Sequence, residues 1–262
     1  MRTINAYTKI TLLCAITCIS YWACNPTKSV TSKPKVILKL DDLWYKNGQV
    51  HEGWIAVMDF LNEQKVTSAI GIIGSSLEKG DDPYFQWIKQ RHAEGHEIWH
   101  HGYCHCKPTV DGQQVREFRG TSYDYQLAQL QKTQQLAKDK LGLTFTTFGA
   151  PYNSTDTSTV EALEKMPELK IWLFKETATP TDKQILKRIK PVNIEYPVHI
   201  PDFAQFRLGY ESHQKEPILV IQGHPRSWSE DPERMNNFRQ IILFLKAEGV
   251  EFTTPSKYLG VD

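Results

Sequence analysis

The chain has 262 residues, a formal net charge of +1 and 40% hydrophobic residues. This is enough apolar material for one large domain or two small ones. The near balance of acidic and basic side chains gives no indication of a nucleic-acid-binding groove, so no nucleic-acid partner is expected.

The first segment of the chain is typical of an export signal. Arg2 and Lys9 precede the apolar stretch ITLLCAITCISYWAC, which is too short for a comfortable membrane span. We predict a signal peptide over 1–23, cleaved before Cys24, and a polar tether over 24–34. The residues YWAC resemble a bacterial lipoprotein signal, which implies an exported protein anchored to the membrane by lipid, in the periplasm or at the cell surface. The alternative is an ordinary signal peptide with an incidental cysteine.

Beyond the tether, strand-like segments alternate with helical ones. This order predicts an α/β fold with a largely parallel sheet, either a small barrel or an open sheet. The region 177–217 is rich in proline and irregular, and is predicted to form loops or an edge excursion. The predicted strands are 36–40, 67–73, 96–100, 144–151, 170–174, 218–225 and 251–254. The predicted helices are 52–64, 82–95, 122–142 and 232–250.

Polar side chains follow four of the predicted strands. The carboxyl ends of parallel strands meet at one edge of a sheet, where functional residues collect. We therefore expect these side chains to lie near one another. They are Asp41 and Asp42, His100 and His101, Pro151 and Tyr152, and His224.

A cluster of histidines indicates a metal site. Four of the nine histidines lie within residues 96–105. His101 and His105 are four residues apart, and a helical turn would place both imidazoles on one face. With one aspartate they make a three-ligand set that leaves a position open for water or substrate. A run of surface or core histidines is the alternative.

Four other side chains in this stretch are not expected to bind the metal. His96 has the phase of an inward strand residue and is predicted to be structural, and His100 is expected to point elsewhere. The one-residue spacing of Cys104 and Cys106 is poor geometry for a disulfide. Two cysteines alone are also too few for a structural zinc site, which needs four ligands.

Four segments, taken in order, resemble a known family. KLDDLW, GHEIWHHGYCH, FGAPYN and ILVIQGHP are similar to the successive motifs of the polysaccharide deacetylases, the NodB-homology group of family 4 carbohydrate esterases. The resemblance implies a distorted (β/α)7-type barrel over 35–262. It also implies metal-dependent removal of N- or O-linked acetyl groups from a carbohydrate. The expected cation is divalent, with zinc first and cobalt or nickel as alternatives.

The resemblance further implies roles for individual residues. The metal ligands would be Asp42, His101 and His105. The chemistry would be carried by Asp41 as the base, His224 as the acid and the backbone N–H of Tyr152 as an oxyanion donor. The predicted substrate contacts in or beside these motifs are Pro151, Trp44 and Tyr103.

The chain departs from the family pattern at several positions. Gly149 replaces the usual Arg that supports the base, so Asp41 needs another cation, and Gly149→Arg is expected to restore the support. Lys39 is nearby in sequence, although alternation along the strand could direct it away. Gly102 replaces a Ser or Thr after the first histidine of the second motif. Trp172 is a candidate for the family's fourth motif, an Asp/Trp-containing segment.

Three functions are compatible with this pattern. The first is a deacetylase of an exported carbohydrate. The second is a metal-dependent C–N hydrolase of another small amide, against which the export signal counts. The third is a carbohydrate-binding lipoprotein on a disabled scaffold, which the missing Arg favours and the retained aspartates and histidines oppose. The oligomeric state is left open.

Overall fold

The computed structural model describes residues 33–261, and within that part twelve strands and eight α-helices are found. The predicted signal peptide, Cys24 and nearly all of the tether lie outside the described residues. The strands are β1 (Lys35–Leu43), β2 (Tyr45–Lys46), β3 (Gln49–Val50), β4 (Ala69–Ile72), β5 (Glu97–His100), β6 (Thr109–Val110), β7 (Gln113–Gln114), β8 (Thr147–Gly149), β9 (Ile171–Leu173), β10 (Gln184–Leu186), β11 (Ile218–Gly223) and β12 (Glu251–Thr253). The helices are α1 (Glu52–Glu63), α2 (Ser75–Lys79), α3 (Asp82–Ala93), α4 (Tyr123–Leu141), α5 (Thr157–Glu164), α6 (Phe203–His213), α7 (Pro232–Ala247) and α8 (Pro255–Leu259).

Eight strands form one parallel sheet that curls into a nearly closed barrel, which confirms the predicted α/β barrel. The strand order is β10-β9-β8-β5-β4-β1-β11, and β12 pairs with the first residues of β1. Two antiparallel pairs, β2–β3 and β6–β7, lie outside this sheet. Strand β1 lies between β4 and β11, and its carboxyl end carries Asp41 and Asp42.

The four predicted helices are confirmed as α1, α3, α4 and α7, and each ends before its predicted boundary. Capping residues at the helix ends explain why the predicted and observed helices agree. The Ser122 side chain accepts a hydrogen bond from the backbone N–H of Tyr125, and Gly142 ends α4 in a left-handed conformation. Among residues 33–261, no helix is both long and apolar enough to cross a membrane.

The region 177–217 includes an edge strand of the sheet, in line with the predicted edge excursion, but its helix was not predicted. This region contains β10 and α6, and the Asp202 side chain caps α6 by accepting from the backbone N–H of Gln205. The helix buries only Phe206, Gly209 and Tyr210. Such a narrow apolar face gives a weak periodic signal, which is why the helix was missed.

The residues of β1 alternate between two apolar regions. Val36, Leu38 and Leu40 pack into the larger cluster, which includes residues of the surrounding helices. Ile37 packs instead with Trp99 and other strand residues in the interior of the barrel. Because side chains alternate along a strand, positions 39 and 41 face the same interior as Ile37.

Candidate active site

Asp41 and Asp42 both reach one cavity because the backbone turns at the end of β1. Asp42 has φ +68°, in the left-handed region that Asp tolerates better than most residues. The register between β1 and β4 also shifts between Leu40 and Leu43. Both carboxylates line a cavity of about 340 Å³ at the rim of the barrel. This turn brings two neighbouring side chains, which would alternate on a regular strand, to the same cavity.

Asp42, His101 and His105 converge on one point. Asp42 Oδ1 lies 3.2 Å from His101 Nε2 and 3.1 Å from His105 Nε2. Burial opposes ionisation of Asp42, but hydrogen bonds from the two imidazoles outweigh it and hold the pKa of Asp42 well below its usual range. The structure thus brings together the three predicted ligands.

These donor atoms fit a zinc-type ion. Two ligand atoms at usual zinc distances and tetrahedral angles lie ~3.3 Å apart, close to the observed separations. The Nδ1–H of His101 donates to the backbone carbonyl of Gly149 at 2.8 Å, so the neutral tautomer would offer the Nε2 lone pair to a metal in place of the hydrogen bond to Asp42. The set of two imidazoles and one carboxylate leaves a position for water or substrate.

The two histidines converge through a loop, so the expected helical turn is wrong. Gly102 follows β5 with φ +71° and turns the chain. A Cβ at this glycine would lie 2.7 Å from Cγ of Pro151, so the loop has no room for a side chain. The departure at Gly102 therefore has a steric reason, and Pro151 helps to define the loop that carries His105.

Glu117 holds this loop in place, and the sequence analysis missed it. Its wholly buried carboxylate accepts hydrogen bonds from the backbone N–H groups of Tyr103, Cys104 and His105 at 2.6, 3.2 and 2.7 Å. Burial raises the pKa of Glu117 despite these three donors. No local pattern marks an isolated glutamate as the anchor of a loop earlier in the chain.

Cys104 and Cys106 form a disulfide, contrary to the expectation from their spacing. Their Cα atoms are 5.0 Å apart, within the range of disulfides. His105 lies between them with φ +49°, and this left-handed residue folds the chain enough to bring the cysteines together. Sulfur atoms paired in this way are not free thiolates, and the prediction that neither cysteine is a metal ligand stays a prediction.

The predicted base, Asp41, has a cationic partner in Lys39. Lys39 Nζ lies 2.7 Å from Asp41 Oδ1, and Gln222 Nε2 donates to Asp41 Oδ2 at 2.7 Å. Residues two apart on a strand share a face, so the expectation that alternation could direct Lys39 away is wrong. Burial lowers the pKa of Lys39, while the charge of Asp41 acts in the opposite direction.

The space beside Gly149 explains why the cation comes from β1. A Cβ at Gly149 would lie 2.8 Å from Cζ3 of the Trp99 ring. Lys39 Nζ is 4.9 Å from the centre of the same ring, so the indole fills the space between β8 and the buried ammonium group. An arginine at position 149 would require the Trp99 ring to move, and this contact argues against the expectation that Gly149→Arg restores the support.

The predicted acid, His224, is held by Glu195, which the sequence analysis also missed. His224 Nδ1 lies 2.7 Å from Glu195 Oε2, and the His224 backbone N–H donates to Glu195 Oε1 at 2.8 Å. Burial lowers the pKa of His224, but the hydrogen bond and charge of Glu195 raise it above its usual value. Trp228 Nε1 also donates to Glu195, at 2.8 Å.

Trp172, the candidate for the fourth motif, lies instead in the core and is wholly buried.

The remaining predicted contacts lie at different places. Tyr152 lines the cavity with φ +60°, and its hydroxyl donates to the backbone carbonyl of His105 at 2.9 Å. Trp44 lines an adjoining cavity of about 180 Å³. Tyr103 points elsewhere, since its hydroxyl donates to Glu78 and accepts from Lys132, and it is not among the described residues that line the catalytic cavity.

His96 and His100 are not part of the cluster formed by the three predicted metal ligands. His96 Nδ1 contacts the hydroxyl of Ser68 at 2.9 Å, and burial lowers the pKa of His96 to about 4. His100 is wholly buried, with Nε2 3.3 Å from the backbone carbonyl of Leu130, and burial lowers its pKa to about 3. Both are neutral core histidines.

Comparisons with known proteins agree with this fold and motif order. The family profile described as polysaccharide deacetylase matches residues 28–168, more than half of the 262-residue chain. No curated protein matches the sequence.

Solved structures at low sequence identity share the fold. The Xyl-CE4 domain of a multidomain xylanase from the hindgut metagenome of Trinervitermes trinervoides is 14% identical with a TM-score of 0.60, over 87% of this chain and 91% of that one. A cobalt-bound family 4 acetyl xylan esterase from Clostridium thermocellum is 16% identical with a TM-score of 0.59, over 86% and 90%. A CE4 pseudoenzyme from Bacillus anthracis is 16% identical with a TM-score of 0.59, over 88% and 67%. Together with the profile match, the barrel and its motifs show that the chain belongs to the polysaccharide deacetylase family.

Proposed function

We propose that the protein is a metal-dependent hydrolase that removes acetyl groups, N- or O-linked, from an extracytoplasmic carbohydrate. The observation that carries this proposal is that the neighbouring carboxylates of Asp41 and Asp42 have different partners. Asp42 faces two imidazoles, whereas Asp41 is bound to Lys39 and remains outside the ligand set. The cavity also contains His224, a histidine whose pKa is raised.

The ligand set supports a divalent cation. When bound there, such an ion would polarise a water molecule and the acyl oxygen. Two nitrogen donors and one carboxylate suit zinc, with cobalt and nickel as alternatives. The cobalt ion in the Clostridium thermocellum esterase supports a transition metal in this fold.

The protein side chains supply the proton transfers. Asp41, bound by Lys39 and Gln222, accepts the proton of the attacking water. His224 Nδ1 is engaged by Glu195, so Nε2 is the atom that donates a proton to the leaving amine or alkoxide. The backbone N–H of Tyr152 is proposed to stabilise the oxyanion, a contribution of ~3–4 kcal/mol in comparable sites. General acid–base catalysis by side chains positioned in this way typically accelerates a reaction ~10²–10⁴-fold.

The buried ion pair favours an active enzyme over a disabled scaffold. The absence of the usual Arg is the reason to suspect inactivity, and Lys39 provides a positive charge at 2.7 Å from the base. Trp44 lines the adjoining cavity, and we propose that it contacts the substrate.

Acetate release tests this function. The purified full-length protein, loaded with zinc, is incubated with acetylated xylan, acetylated polygalacturonate and N-acetylglucosamine oligomers. We expect metal-dependent acetate release from at least one of them. Bound metal without acetate release from any acetylated glycan would contradict the proposal and favour a carbohydrate-binding protein. Release from small cyclic amides alone would favour the other C–N hydrolase.

We also propose that the protein is exported and anchored through Cys24. The N-terminal pattern supports export, and the Cys104–Cys106 disulfide is typical of oxidising compartments. Incorporation of labelled palmitate into the wild type, and its loss in Cys24→Ala, is the expected result. Equal labelling of both proteins would contradict the anchor.

A further inference from the structure

Three arginines line the catalytic cavity: Arg116, Arg188 and Arg226. Arg226 Nη2 lies 3.0 Å from Asp42 Oδ2, the carboxylate oxygen turned away from the histidines. Among residues 33–261, no carboxylate lies within 4.0 Å of the guanidinium groups of Arg116 or Arg188. The cavity therefore holds two arginines whose charge the described part of the protein does not neutralise.

Both of these arginines rest on aromatic rings. The Arg116 guanidinium lies 5.5 Å from the centre of the Tyr152 ring, and that of Arg188 lies 5.7 Å from the centre of the Phe174 ring. The Nε of Arg188 is buried and has no hydrogen-bond partner among the described residues. Stacking orients the guanidinium planes while leaving their N–H groups available for a ligand.

The carboxylates of the cavity are already engaged. Asp41 is paired with Lys39, Glu195 with His224, and Asp42 faces the proposed metal and Arg226. The positive charge of Arg116 and Arg188 is thus in excess within the cavity. Since the whole chain carries a formal net charge of only +1, this excess is a local feature.

A second basic depression adjoins the cavity. Arg188 also lines a depression of about 630 Å³, together with Lys175, Lys187 and Lys190. Glu176 is the one acidic residue among the described residues that line it. None of the three lysines has a carboxylate within 4.0 Å in the described part of the chain. Because Arg188 lines both spaces, a basic path leads from the catalytic cavity to the surface.

We propose that the substrate is an acidic glycan, an acetylated polysaccharide that carries carboxylate groups. The acetylated sugar occupies the catalytic cavity beside Arg116, and neighbouring acidic sugars lie along the depression lined by Arg188, Lys187 and Lys190. Arginine binds carboxylates through paired hydrogen bonds, and a row of cations matches the repeated charge of a polyanionic chain. This inference rests on the proposed deacetylase function and defines its substrate class.

Binding of glycans without acetyl groups tests the inference independently of catalysis. Calorimetry of the zinc-loaded, full-length protein compares polygalacturonate, phosphomannan and neutral xylan at low and high salt. We expect polygalacturonate to bind at least about ten-fold more tightly than xylan, and to lose this advantage as salt screens the charges. Equal binding of xylan overturns the inference. Tighter binding of phosphomannan than of polygalacturonate overturns the choice of carboxylate over phosphate.

Charge-reversal variants locate the binding path. The double variant Lys187→Glu/Lys190→Glu is compared with Lys165→Glu/Lys215→Glu, which makes the same charge change at two exposed lysines outside both spaces. We expect the first variant to weaken polygalacturonate binding at least about ten-fold and the control to change it less than about two-fold. Equal weakening by the two variants would mean that net charge alone governs binding, and would overturn the inference.

Hydrolysis separates this inference from the proposed function. We expect kcat/KM for acetylated polygalacturonate to exceed that for acetylated xylan, and Lys187→Glu/Lys190→Glu to reduce this ratio. If both polymers are deacetylated equally well, the deacetylase function stands and the acidic-glycan inference falls. If polygalacturonate binds selectively but no acetylated polymer is hydrolysed, the basic path is a binding site and the deacetylase function falls.

Discussion

Lys39 lies two residues before Asp41 on the same strand, and its buried ammonium group is 2.7 Å from the carboxylate of the proposed base. This pair places the supporting cation on the strand that also carries the proposed base and a proposed metal ligand. Gly149 lies on β8, which is separated from β1 by β5 and β4, and the ring of Trp99 occupies the space beside it. The cation that supports the proposed base is therefore a lysine on β1, and not an arginine at position 149 on β8 as in the family pattern.

Lys39→Met is expected to lower kcat on the acetylated glycan by about ten-fold or more, with the metal content unchanged. The reason is that Asp41, the proposed base, loses the cationic partner that lies 2.7 Å from its carboxylate. Lys35→Met is the control, because Lys35 pairs with Glu251 at the exposed start of the same strand. A wild-type kcat in Lys39→Met would contradict the role of this ion pair.

Gly149→Arg is expected to destabilise the protein. The new Cβ would lie 2.8 Å from the Trp99 ring, and overpacking of a core typically costs about 1–3 kcal/mol. Thermal unfolding should show a lower Tm, with a smaller decrease in Gly149→Ala. Combining Gly149→Arg with Lys39→Met should not restore activity. A stable double variant with wild-type kcat/KM would contradict the packing argument.

Glu195→Gln is expected to move the basic limb of the kcat/KM profile to lower pH. The anionic partner raises the pKa of His224, whereas burial lowers it. Without the anion, His224 loses its proton at a lower pH and ceases to act as an acid sooner. We expect a shift of about one pH unit. Metal content should be unaffected, and an unchanged basic limb would contradict the assignment of Glu195 as the residue that positions the acid.

His96 and His100 should make the fold sensitive to acid. Their pKa values are lowered to about 4 and about 3 in the folded protein, while an exposed histidine has a pKa of about 6.5. The unfolded chain therefore binds more protons below pH ~6.5, and stability falls as the pH decreases from there towards the folded values. Chemical denaturation at several pH values should show this decrease, and it should be smaller in His100→Phe. A decrease of equal size in the variant would contradict the neutral burial of His100.

The sequence alone is enough to predict which residues at the ends of strands lie close together in the fold. Asp41, Asp42, His101 and His224 each follow or end an apolar strand, so strand order alone places them at one rim. His105 was also found, although for a partly wrong reason, because the chain reaches it by a loop and not a helical turn. These residues are recognisable because their local sequence determines their position.

The residues that support this site could not be found in the same way. Glu195 is 29 residues before His224, and Glu117 follows the loop that it holds by 12–14 residues. No local period connects either carboxylate with its partner. Lys39 could have been placed, because the period of a strand puts positions 39 and 41 on the same face. The exchange of an arginine on one strand for a lysine on another depends on how Trp99 packs, which only the folded barrel reveals.

Asp41→Asn tests the central claim most directly, because it separates metal binding from chemistry. Metal content is measured by mass spectrometry and acetate release is measured on the best acetylated glycan, in parallel with His101→Ala and the wild type. We predict that Asp41→Asn retains one equivalent of metal and loses at least ~10²-fold in kcat, whereas His101→Ala loses the metal. Wild-type acetate release by Asp41→Asn, or a full equivalent of metal in His101→Ala, would contradict the account.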